Sequence, residues 1–178
     1  MELRRKDMRR RENGTARYCT FSCYQRLQLL GTASIRDAYI ETLAEAQSRF
    51  GFELIAWVVM PEHVHLLVLP RSSSSPLSAT LAWMKGVFAQ RAIGRWRDLQ
   101  ATVLPRITRA NGERRFWQAG GGYDRNIYSR DELVEKINYI HWNPVERELV
   151  REPRDWRWSS FSAYQGTPHL KLVITRHD

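Results

Sequence analysis

Two histidines stand close together in "MPEHVHLLVLP", Met60 to Pro70, a run that is otherwise almost wholly apolar. Strand side chains alternate between faces, so His63 and His65 share one face and Val64, Leu66 and Val68 the other. Two imidazoles so placed can grip one metal ion, or can sit as satisfied histidines on a sheet surface. A metal needs further donors. Glu62 adjoins His63 and, by the same alternation, is expected to face the other way. Further along the chain, Glu135, Tyr139 and Asn143 recur at a spacing that lines one row of a helix. That row holds a carboxamide, whose carbonyl can be a metal ligand, and a phenol, which can be a nucleophile. A phenol is weakly nucleophilic at neutral pH, since its pKa is ~10, so it needs a polarised target. Pro144 disfavours helical geometry in the residue before it, which predicts a distorted last turn at Asn143. His141 points elsewhere by helical spacing, as a structural residue or a phosphate contact.

These groups must be positioned by the surrounding elements. "RYCTFSCY" (17–24) reads as a strand, and residues 33–50 carry Ile35, Ala38, Tyr39, Leu43, Ala46 and Phe50 at helical spacing, with Gly51 as a stop. "FELIAWVVM" (52–60) and "HVHLLVLP" (63–70) are strands joined tightly by Pro61 and Glu62, hence an antiparallel hairpin. A long helix over 76–96 has Leu77, Leu81, Met84, Phe88 and Ile93 roughly on one side. Residues 98–113 lack a clean period and read as loop. "RRFWQ" (114–118) is the expected fourth strand and "AGGGYDRNIY" a flexible turn. Ser129 and Glu132, in capping-box spacing, open a late helix with Leu133, Ile137 and Ile140 on its apolar side. The order predicts an α+β domain of split βαβ type, an antiparallel sheet with helices packed on it.

The 178 residues suit one domain with extensions, and the 43% hydrophobic content can build a core. A formal charge of +9, mostly from Arg, makes nucleic acid the first partner to consider. Residues 1–16 form a basic arm, either a solvated tail or a phosphate-clinging segment. Cys19 and Cys23 fit neither a metal pair nor a disulfide framework and read as thiols in a reduced compartment. No signal peptide and no membrane-length apolar run occurs, so the expected location is the cytoplasm.

"AWVVMPEHVHLLV", "KGVFAQR", "FWQAGGGYDRNIYSRDELVEKINYIHWNPV" and "DWRWSSFSAY", in that order, resemble the IS200-like single-tyrosine (HUH) transposases, and more closely their REP-associated tyrosine transposase branch. The resemblance covers nearly the whole chain. It implies a transposase domain over 17–150, a ferredoxin-like antiparallel sheet with the catalytic tyrosine on a late helix, and a basic, aromatic extension over 151–178. It places the family's metal pair on His63 and His65, its nucleophile on Tyr139 and its amide ligand on Asn143. The implied cofactor is a divalent ion, Mg²⁺ or Mn²⁺. The implied partner is single-stranded or hairpin DNA near the bacterial nucleoid, with no membrane. Dimers sharing sites between subunits occur among relatives, so monomer and homodimer both stay open. Many relatives carry Asn where this chain has Glu62, and His where it has Arg125. DNA phosphates would meet Lys85, Arg125, Arg130, Arg147 and Arg151. The rings of Trp156, Trp158 and Phe161 either stack on bases or pack against the domain. Competing readings are a non-catalytic hairpin-DNA-binding descendant and a metallohydrolase that uses water. The second wants further His or Asp ligands, which the sequence does not offer convincingly.

Overall fold

The computed structural model describes residues 15–71, 76–120 and 122–176, so all but the end of the basic arm lies outside the described residues. The elements are β1 (Arg17–Ser22), α1 (Ala33–Phe50), β2 (Glu53–Val59), β3 (His63–Leu69), α2 (Leu77–Asp98), α3 (Leu104–Ile107), β4 (Tyr123–Asn126), α4 (Arg130–Glu146) and α5 (Phe161–Tyr164). The four strands form one sheet in the order β2-β3-β1-β4, with every neighbouring pair antiparallel. This is the expected α+β architecture.

The alternating strands feed two apolar layers. Cys19, Phe21, Val64, Leu66 and Val68 face α1 and α2, which bury Tyr39, Leu43, Leu81, Met84 and Phe88 against them. Tyr18 and Leu67 face the opposite side, where α4 brings Ile137 and Ile140. The chemistry-bearing face of β3 is therefore the α4 face. Gly51 stops α1 in the left-handed conformation, φ 66°, its N–H donating to the Gln47 carbonyl at 2.9 Å. Both cysteines are buried and unpaired, and burial pushes the Cys23 thiol up to about 12.

Three local expectations are corrected. "RRFWQ" is not the fourth strand: it makes only isolated bridges, Arg114 with Thr108 and Trp117 with Cys23, while Phe116 and Trp117 fill the core. The fourth strand is Tyr123–Asn126, inside the stretch read as a flexible turn. Its four residues are too few to show a period, and Gly122 just before it marks a close approach instead. The loop expected over 98–113 contains the short helix α3.

The segment "DWRWSSFSAY" docks on the sheet. Val59 N–H donates to Trp158 O and Ser160 N–H to Trp57 O, each at 2.9 Å, so this segment covers the outer edge of β2. Trp156 is buried, its indole N–H on the Val59 carbonyl at 3.1 Å. The Trp158 indole donates to Asp37 at 2.8 Å, and the Arg36 guanidinium lies 3.8 Å over its ring. Of the two readings for Trp156 and Trp158, packing against the domain is the one observed, and their assignment as DNA-stacking rings is corrected: Trp156 is buried, and Trp158 is half-buried with its ring engaged by guanidinium. Among the described residues, no helix is long and apolar enough to cross a membrane.

Gly122 sets the approach of β4 to β1. Its φ is 76°, and a Cβ there would lie 2.3 Å from the Thr20 carbonyl oxygen. Gly122→Ala should cost at least ~1–2 kcal/mol from the left-handed backbone alone, with the clash in addition. Urea unfolding checks this; an unchanged midpoint would show that β4 does not need the close approach.

Candidate active site

The site starts from strand register. Thr20 lies opposite His65 and Ser22 opposite His63 across the β1–β3 pair, and Val58 lies opposite His65 on β2. Both imidazoles are thus held between two strands, and both are buried. Their Nε2 atoms face one another at 2.9 Å. Each Nδ1 has a partner of its own. His65 Nδ1 meets the Tyr18 and Thr20 hydroxyls, both at 2.7 Å. His63 Nδ1 meets Glu62 Oε1 at 3.0 Å. The expectation that Glu62 faces away is therefore wrong. Glu62 lies in the turn before β3, where strand alternation does not apply, and its carboxylate turns back onto the histidine. Burial lowers the pKa of both imidazoles, that of His65 to about 3 with a smaller contribution from His63. Both rings are then neutral at physiological pH, the form that binds metals.

α4 closes the other side. Ser129 Oγ accepts from Glu132 N–H at 3.1 Å, and Glu132 Oε2 accepts from Tyr128 N–H at 3.0 Å, so the cap anticipated at Ser129 forms. Pro144 does not end the helix. α4 runs to Glu146, and Asn143 stays inside it, so the row Glu135–Tyr139–Asn143 survives, and Arg147 at the C-cap continues it. The row is anchored at both ends. The Tyr139 ring packs edge-on to His65 at 5.4 Å and to Tyr18 at 6.3 Å. The Arg147 guanidinium donates to Glu62 Oε1 at 2.6 Å. Asn143 lies between these anchors, buried, and among the described residues its Oδ1 has no hydrogen-bond partner.

These features fit a divalent cation. Two neutral ring nitrogens converge, and a buried carbonyl oxygen on the facing helix lacks a donor. Among the described residues, no cluster of three or more His, Cys, Asp or Glu has metal-holding geometry; the candidate set is two imidazoles and one carboxamide. His63, His65 and Asn143 would hold the ion. Tyr139 remains partly exposed, as a nucleophile must be.

The other expected residues are scattered. Arg125 is paired with Glu132 on the face shared with Tyr18, and Arg147 is paired with Glu62. Arg130 and Arg151 are exposed, with no ion-pair partner among the described residues. Lys85 lies on the opposite layer, its amine 5.2 Å over the Phe21 ring and its pKa lowered by burial. His141 is structural: it is buried, with Nε2 on Ser160 Oγ at 2.8 Å. Sequence reasoning missed Tyr18 and Thr20, whose role depends on a non-local register, and Trp142, an indole about half exposed one turn from Tyr139. The position of Trp142 in "YIHWNP" was its only signal.

A family model described as "Transposase IS200 like" matches residues 17–141, taking in both histidines and Tyr139 but ending before Asn143. A REP-associated tyrosine transposase of Escherichia coli is 29% identical over 140 residues, covering 77% of this chain and 70% of that protein. A provisionally named REP-associated tyrosine transposase of Haemophilus influenzae is 26% identical over 147 residues, covering 77% and 78% respectively. The solved structure of a REP-associated tyrosine transposase bound to a REP hairpin superposes with a TM-score of 0.66, at 24% identity, covering 100% of this chain and 94% of that one. It shares the fold.

The orphaned carbonyl of Asn143 yields a test. A buried polar group without a partner costs ~1–3 kcal/mol. Asn143→Leu should therefore leave the metal-free protein as stable or up to ~1 kcal/mol more stable, while shrinking the stabilisation that Mn²⁺ confers. Thermal melts in EDTA and in Mn²⁺ read both. A less stable metal-free variant with an undiminished Mn²⁺ shift would make Asn143 a packing residue.

Proposed function

The chain belongs to the IS200-like transposase family, and on that footing we propose that it is a metal-dependent endonuclease and strand transferase for single-stranded, hairpin-forming DNA, with Tyr139 as its nucleophile. The observation that carries this reading is the seating of Tyr139 against His65, with Asn143 one helical turn away and its carbonyl unpaired. The hairpin-bound relative supports the substrate class.

Tyr139 Oη attacks the scissile phosphorus in line. A Tyr–O–P bond forms and the P–O3′ bond breaks, leaving a 5′-phosphotyrosine and a free 3′-hydroxyl that takes up a proton. The phosphodiester count is unchanged, so an incoming 3′-hydroxyl can reverse the step without a nucleotide cofactor. His63, His65 and Asn143 would hold a divalent ion, Mg²⁺ or Mn²⁺, which would supply Lewis-acid withdrawal of charge from the phosphate. Their positions would set that charge beside the phenol. β1 and β2 fix the imidazoles from either side, and the cap at Ser129 together with the Ile137 and Ile140 contacts fixes the height of α4 on the sheet. Arg130 and Arg151, exposed and without an ion-pair partner among the described residues, are available to the DNA backbone. Exposed Trp142 and Tyr123 offer ring faces to unpaired bases in place of Trp156 and Trp158. Tyr139 packs against His65 of its own chain, a contact compatible with action in cis.

A phosphate-labelled hairpin oligonucleotide with Mn²⁺ should give a covalent protein–DNA adduct, and Tyr139→Phe should lower adduct formation by a factor on the order of 10³ or more. Equal cleavage by the Phe variant would remove Tyr139 from the role. Hairpin binding that persists in EDTA, with no adduct in either metal, would identify a binding protein instead. Mixing Tyr139→Phe with a His63→Ala/His65→Ala double variant should restore nothing; restored cleavage would mean the site is shared between subunits.

A further inference from the structure

The turn that carries Glu62 is itself held fast. Met60 N–H donates to His63 O at 2.9 Å, closing the turn over Pro61 and Glu62. Its outward carbonyls are satisfied from the segment after β1: Cys23 N–H donates to Glu62 O at 2.8 Å, and Leu30 N–H donates to Pro61 O at 2.9 Å. The Glu62 carboxyl thus projects from a fixed backbone into a buried position beside His63. Its Oε1 accepts from the Arg147 guanidinium at 2.6 Å and lies 3.0 Å from His63 Nδ1. A carboxylate paired with a guanidinium in this way is an anion, and an anion can only accept.

The two histidines differ in consequence. The partners of His65 Nδ1 are hydroxyls, which can donate or accept, so His65 can carry its proton on either nitrogen. The partner of His63 Nδ1 is a carboxylate, which leaves one arrangement. Arg147 adds the link to α4. It caps the helix four residues after Asn143 and eight after Tyr139, on the same row. Pro144 has no N–H, so the Ile140 carbonyl loses its bond within the helix. The last turn is tied externally by Arg147 on Glu62.

We propose that Glu62 and Arg147 are a positioning pair for the metal site: Glu62 holds the His63 proton on Nδ1 and leaves the Nε2 lone pair for the ion, while Arg147 couples that arrangement to the helix bearing Asn143 and Tyr139. The pair rests on the metal-site reading above but not on Tyr139 being the nucleophile. Its effect on the ion acts through His63 and Asn143.

The test reads proton position and metal affinity, without DNA. Nitrogen-15 correlation spectra of the wild-type, metal-free protein should show His63 protonated on Nδ1; His63 protonated on Nε2 overturns the proposal and needs no variant that might misfold. Mn²⁺ titrations followed by electron paramagnetic resonance should show Glu62→Gln weakening binding by ~10–100-fold, the usual effect of removing such a partner. Arg147→Gln should weaken it less, and the double variant should bind no worse than Glu62→Gln alone, because Arg147 acts through Glu62. Unchanged Mn²⁺ affinity in Glu62→Gln, or losses that simply add, would overturn the coupling. A wild-type protein that binds no Mn²⁺ would defeat the metal reading, and the tautomer spectrum would still decide what Glu62 does to His63.

Discussion

Two imidazole nitrogens face each other at 2.9 Å in the interior of this protein, between β3 and α4. Two lone pairs cannot rest at that distance; a proton or a cation has to lie between them. The surrounding structure keeps them there at a cost in buried polar groups. β1 supplies Tyr18 and Thr20 to one ring, the β2–β3 turn supplies Glu62 to the other, and α4 presents a carbonyl oxygen that has no donor. An unsatisfied buried carbonyl is what a folding sequence avoids and a metal site requires. The α1–α2 layer contributes rigidity: it packs the opposite face of β3 so that the histidine face cannot shift without moving the main core.

The same constraint explains the position of the tyrosine helix. Ile137 and Ile140 bury one side of α4 on the sheet, and the adjacent row then carries Tyr139, Asn143 and Arg147 toward the histidines. Helical spacing alone put Tyr139 and Asn143 in one row. The structure adds that the row is pinned at both ends, by ring packing on His65 and by the ion pair with Glu62. Pro144, which threatened the row, removes one hydrogen bond without ending the helix.

Local patterns were the legible part. The two long helices, the tight hairpin, the helix cap at Ser129 and the face of β3 that carries the histidines could all be read from periodicity and turn residues. What stayed hidden depends on contacts distant in sequence. β4 has four residues and no period; it is a strand because Gly122 lets its backbone lie against Thr20. Glu62 was misplaced because strand alternation was extended into a turn. Trp156 and Trp158 resemble base-stacking rings in composition, yet β2 has an outer edge that needs covering, and "DWRWSS" covers it. A protein of this net charge has many arginines to offer DNA, but Arg125 and Arg147 are already paired within the fold, which only coordinates could show.

In the proposed site, His63, His65 and Asn143 of one chain would surround one cation beside Tyr139. Anomalous diffraction at the manganese edge, from crystals grown with Mn²⁺, tests it most directly. The account predicts a single strong peak bounded by the Nε2 atoms of both histidines and by Asn143 Oδ1, all from the same chain, with the Tyr139 hydroxyl facing it. A peak elsewhere, or one ligated by the histidines while the Asn143 carbonyl points away, would contradict it.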